Sequence, residues 1–148
     1  MNEKNDALQK AGRELDMLVA EKIMGAHWEN VTPAGRKRAL VMGTLTWVDA
    51  DYGQLNYRGG GPRGGYLLPN YSTDIAAAWL VVEAMRERGF KYATITQFAD
   101  EEGQGGCGFW VRFESTHGSD VIDGPECNTA PLAICLASLQ AVSGPPSA

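Results

Sequence analysis

"PNYSTDIAAAWLVVEAMRERG", residues 69–89, carries the clearest structural signal in the chain. Ser72 or Thr73 can cap a helix with a side-chain oxygen, and Asp74 suits the positive end of the helix that follows. Ile75, Ala78, Trp79, Val82 and Met85 then recur at three- and four-residue steps. That spacing predicts one buried face of a helix over 72–88, with Arg86, Glu87 and Arg88 as its exposed end and Gly89 as its stop.

The rest of the chain is read outward from this helix. Downstream, "FKYATITQF" (90–98) and "GFWVRFE" (108–114) read as two strands of a hairpin. In the second strand Phe109, Val111 and Phe113 alternate with Trp110, Arg112 and Glu114, the period of a half-buried strand. "SDVID" suits a short edge strand. A last helix starts at "NTAP", with Thr129 as its cap and Pro131 in its first turn. No charged side chain occurs from Cys127 to the end, so this helix must be covered by the sheet or by another subunit.

Upstream, "ALVMGTLTWVDAD" reads as a strand over roughly 39–48, "DYGQ" as a turn and "LNYR" as the return strand. Residues 26–38 read as a loop with a turn of helix. Residues 7–24 read as a helix with Leu8, Ala11, Leu15, Leu18, Val19 and Ile23 on its apolar face. The order helix, hairpin, helix, hairpin, helix predicts an α+β fold: a single-domain α-β-α sandwich with a mainly antiparallel sheet and three main helices. The domain is expected over residues 1–143, with 144–148 as a flexible tail.

Composition narrows the function. The 148 residues carry a formal net charge of −5, which argues against a duplex nucleic acid as partner. Three cysteines at loose spacing make no disulfide framework, and two histidines without a CxxC make no metal signature. The start "MNEKNDALQK" lacks the apolar core of a signal peptide, and the longest uncharged apolar run is too short to cross a membrane. A cytoplasmic setting with no cofactor and no membrane contact is expected.

The candidate chemistry lies in "YRGGGPRGGYLLPNYSTDI", residues 57–75. Glycines let backbone N–H groups turn toward an anion, and a following helix start adds positive potential. Arg58 and Arg63 suit phosphate contacts, and Tyr57 and Tyr71 suit stacking on a base, with Ser72 and Thr73 completing the candidate ligand site. No Walker motif is formed, because no GK[ST] follows. The other reading of the stretch is a plain loop before a capped helix. Arg36, Lys37 and Arg38 form a second basic cluster, best read as a solvated face. "DADYG" (49–53) fails as a calcium loop because its glycine falls one position early. "HGSD" (117–120) places a histidine, a serine and an aspartate close together, but adjacency does not make a triad. Cys107 sits in a glycine loop, whereas Cys127 and Cys135 suit packing.

Three segments together, "AGRELDMLVAEKIMG" (11–25), "PNYSTDIAAAWLVVEAM" (69–85) and "NTAPLAICLASLQAV" (128–142), resemble the phage ABA sandwich domain family of small phage and prophage proteins. The resemblance implies an α-β-α sandwich, a phage or prophage origin and a setting in the host bacterial cytoplasm, and it implies no enzyme activity. Two departures stand out: the glycine tract 59–65 is inserted, and "AICLASL" replaces "AICRAAL", so Leu136 stands where a basic residue is typical. The expected function is a non-enzymatic counter-defence protein that sequesters a nucleotide-type host signal, most simply as a homodimer. The alternatives are an inhibitor that binds a host defence protein and a virion or replication accessory part.

Overall fold

The computed structural model describes residues 10–30, 34, 38–43, 45–49, 68–99, 107–116 and 120–143; for residue 38, residues 45–49 and residue 107 it describes the backbone alone. Among these, three helices and six strands are present: α1 Arg13–Lys22, β1 His27–Asn30, β2 Arg38–Met42, β3 Leu45–Asp49, α2 Ile75–Glu87, β4 Tyr92–Ala99, β5 Cys107–Glu114, β6 Val121–Asp123 and α3 Ala130–Val142. The strands form two three-stranded sheets, β1-β2-β3 and β4-β5-β6, with antiparallel neighbours throughout. The chain is an α+β sandwich.

Helix α3 is the centre of the packing. It lies against β4, β5 and β6 on one side and against α1 and α2 on the other. Pro131, Leu132, Ala133, Ile134, Cys135, Ala137 and Ser138 are buried. The uncharged helix is therefore covered within its own chain. Thr129 caps it as expected, its Oγ1 accepting from the Leu132 N–H at 3.4 Å. The hydroxyl of Ser138 donates to the Ile134 carbonyl at 2.7 Å, so its burial leaves no orphan donor. The sheet comes close to α3 at Gly124, where a Cβ would sit 2.5 Å from that of Ala137.

Several expectations change, beginning with the first helix, which starts at Arg13 and leaves Lys10, Ala11 and Gly12 outside it. Residues 39–48 form two strands: the chain reverses between Met42 and Leu45, where Gly43 takes φ 61°, a left-handed conformation that glycine adopts without strain. The expected return strand "LNYR" lies outside the described residues. The expected loop 26–38 contains β1, which pairs with β2 from His27↔Val41 to Asn30↔Arg38. Its four residues are too short and too exposed to show apolar alternation.

A further change is the rotation of α2. Its buried residues are Ala77, Ala78, Val81 and Met85, while Ile75 and Trp79 are each 51% exposed. Small residues at 77 and 78 let the helix approach α3 closely, and this turns the larger side chains outward. The cap also shifts by a residue or two. Asp74 is the N-cap and accepts from the Ala76 N–H at 3.1 Å, in place of Ser72 or Thr73.

Candidate functional site

Ser72 is taken up by a different task. Its backbone N–H and its hydroxyl both donate to Asp16 Oδ1, at 2.8 and 2.7 Å, and its Oγ accepts from the Gly12 N–H at 2.9 Å. Asp16, 1% exposed, accepts from Arg13 Nη1 at 3.1 Å through its other oxygen. Arg13 also donates to the Leu68 carbonyl at 2.7 Å and to Asn70 Oδ1. The segment 68–72 is thus tied to the first turn of α1. At the other end of the pair, Arg88 Nη2 donates to the carbonyls of Lys22 and Ile23, both at 3.0 Å, and so caps α1 from the end of α2. Helices α1 and α2 run in the same direction, clamped at both ends.

Tyr71 packs into the core at 1% exposure. Burial first, then the Asp16 carboxylate, then Cys135, push its phenol up to about 12. In the unfolded chain this phenol ionises near its ordinary value of 10, while in the folded chain it stays protonated. Stability is accordingly intact below pH 10 and falls as pH rises through 12, by about 2–3 kcal/mol from this group. Urea titrations at stepped pH check this: the alkaline loss should shrink in Tyr71→Phe, and an equal loss there would refute the assignment.

Of the residues expected to contact a ligand, Tyr71 and Ser72 therefore lie inside the fold and present no surface, and Thr73 is exposed beside the α2 cap. Tyr57, Arg58 and Arg63 lie outside the described residues, as do Arg36, Lys37 and His117. Asp120 of the "HGSD" stretch donates its N–H to Ser115 Oγ at 3.1 Å, a turn contact. Burial pushes up the thiols of both Cys127 and Cys135, which disfavours the thiolate that nucleophilic chemistry requires. Among the described residues, no three His, Cys, Asp or Glu side chains converge as a metal site, and no helix is long and apolar enough to cross a membrane.

Two of the surface hollows among the described residues bear on a ligand. The larger, about 440 Å³, is lined by Pro125, Glu126, Cys127, Asn128, Leu132, Leu136 and Gln140. Its one charged side chain is acidic, and Leu136 supplies no cation, so it does not suit an anion. The second, about 220 Å³, lies between α2 and the start of β4 and is lined by Trp79, Val82, Glu83, Arg86, Phe90, Lys91 and Ala93. Trp79 presents its half-exposed indole there. Arg86 and Lys91 bring two cations against the one carboxylate of Glu83, and among the described residues neither cation is in an ion pair.

An aromatic plane next to two such cations can stack a flat ring and neutralise an attached anion. The sequence contained this signal as Trp79, Arg86 and Lys91 at steps of seven and five residues. It was hidden because Trp79 also fits the apolar spacing of the helix.

A family model, the phage ABA sandwich domain, matches residues 17–139 of the chain. Comparison with curated proteins and with solved structures gives no match.

Proposed function

The chain belongs to the phage ABA sandwich domain family, and we propose that it is a non-enzymatic phage accessory protein that holds a small anionic, nucleotide-type signal of the host in the groove between α2 and β4. The observation that carries this reading is the half-exposed Trp79 beside Arg86 and Lys91. The base stacks on the indole, and the phosphate is held by the two cations. Stacking of this kind contributes about 1–3 kcal/mol per base. Arg58, Arg63 and Tyr57 of the glycine tract are further candidates for the phosphate and the base.

A thermal-shift screen against mono-, di- and cyclic nucleotides and ADP-ribose derivatives tests the reading. A ligand at a hundredfold excess over its Kd stabilises the fold by about 2.7 kcal/mol. The shift should be lost in Trp79→Ala/Arg86→Ala, and recovered ligand should be chemically unchanged. A shift lost only in Arg58→Ala/Arg63→Ala moves the site to the glycine tract. No shift with any nucleotide overturns the proposal.

A second reading, inhibition of a host defence protein, is favoured by the exposure of Ile75, Trp79 and Leu80 at 51%, 51% and 46% on the first turns of α2. Exposed large side chains grouped on one helix suit a protein partner. It predicts retention of a host protein that Ile75→Ser/Leu80→Ser releases, with no thermal shift from nucleotides.

A further inference from the structure

Among the described residues, strand β4 is an edge of its sheet. Its inner side pairs with β5 over eight residues, Tyr92↔Glu114 to Ala99↔Cys107, and its outer side has no neighbour in the sheet among the described residues. The strand reads Tyr-Ala-Thr-Ile-Thr-Gln-Phe-Ala, without a charge, a proline or a glycine. Such an edge offers a row of free N–H and C=O groups, and proteins ordinarily guard it with short length or charge. Two other edges in this chain are guarded. Strand β6 has three residues and ends in Asp123, which pairs with Arg112 at 2.7 Å. Strand β1 has four residues and carries the exposed His27–Glu29 pair.

The unguarded strand is also complementary to itself. Tyr92 and Phe98 are exposed at 58% and 37%, and they stand three positions before and three after Ile95. Their separation of six places them on the same face of the sheet, the one carrying Trp110 and Arg112. We propose that two copies of the chain pair antiparallel through β4, about a two-fold axis at Ile95, joining their sheets into one of six strands. In this register Tyr92 comes opposite Phe98 of the second copy, whose ring lies over Gly108 of its own chain, and Phe98 comes opposite its Tyr92. Thr94 faces Thr96, Ala93 faces Gln97, and Lys91 comes opposite Ala99, so no like charges meet. Aromatic and threonine cross-strand pairs both stabilise a sheet, and the symmetry forms each of them twice. The occupant is a second copy because the pairing requires a strand with aromatics at these two positions and no charge between them, which β4 itself supplies. Lys91 and Ala93 also line the groove between α2 and β4, but the pairing rests on the β4 edge alone and stands without a ligand there.

Sedimentation velocity across a concentration series tests it with two charge variants. A glutamate is placed at position 94 because Arg112 lies across from that position within the chain. Wild type should be a dimer. Thr94→Glu/Thr96→Glu sets the new carboxylate at position 94 against the one at position 96 of the second copy, and should weaken the dimer about tenfold or more in Kd. Thr94→Glu/Thr96→Lys sets opposite charges together in this register and should restore it. Circular dichroism and melting curves confirm that each variant is folded. As a check free of charge effects, chains carrying Thr94→Cys mixed with chains carrying Thr96→Cys should oxidise to a mixed disulfide above the wild-type background. A wild type that stays monomeric overturns the proposal. So does a dimer unmoved by the two glutamates, a lysine variant no tighter than the glutamate one, or the absence of the mixed disulfide.

Discussion

Asp16→Ala should destabilise the fold by about 3 kcal/mol, the low end for removing one partner of a buried ion pair, because Arg13 is 35% exposed and partly screened. The loss has identifiable parts. The Ser72 N–H and hydroxyl, both buried, would have no acceptor of comparable quality, and the Arg13 guanidinium would lose its carboxylate. Asp16→Asn keeps one acceptor oxygen and should lose about half as much. Ser72→Ala, which leaves the backbone bond to Asp16 in place, should cost about 1–2 kcal/mol. Urea unfolding gives the totals. Hydrogen exchange gives the location: the Ser72 amide should exchange faster in Asp16→Ala even where the rest of α1 stays protected. A loss below about 1 kcal/mol, or an unaltered Ser72 amide, would show that the tie between α1 and the 68–72 segment does not hold the helices together.

Phe113→Ala should cost about 3–5 kcal/mol. Phe113 is fully buried in the middle strand of the β4-β5-β6 sheet, and its ring stands edge-on to Phe90 at 6.4 Å and 68°. Removing it opens a cavity beneath α3, which the helix cannot close because Ala133, Ile134 and Ala137 are already packed. Its neighbour Trp110 is the control. It faces the other side of the sheet, where Arg112 lies 5.0 Å over its ring, and Trp110→Ala should cost no more than about 1 kcal/mol. Comparable losses at the two positions would mean that the outer face is covered as well as the inner one.

These two sites differ in how they announce themselves. Phe113 was legible: Phe109, Val111 and Phe113 alternate with Trp110, Arg112 and Glu114, and only a half-buried strand needs that period. The α3 cap at Thr129 and the family resemblance were legible for the same reason, since local spacing determines them. Asp16 was not. Its charge places it on the wet side of an amphipathic helix by any pattern argument, and its burial depends on Ser72, 56 residues away. Trp79 failed in the opposite direction. It fits the apolar spacing, yet Ala77 and Ala78 define the contact with α3 and turn the indole outward into the groove.

The helices, the two strands expected at 90–98 and 108–114, the need to cover an uncharged last helix and the family could all be read from side chains a few residues apart in the chain. Packing settled the rest: which way α2 faces, that α3 is covered from within the chain, that Tyr71 and Ser72 serve the core, and that Trp79, Arg86 and Lys91 line one groove. Those outcomes depend on which small residues allow two elements to approach, and on polar groups that find partners far along the chain.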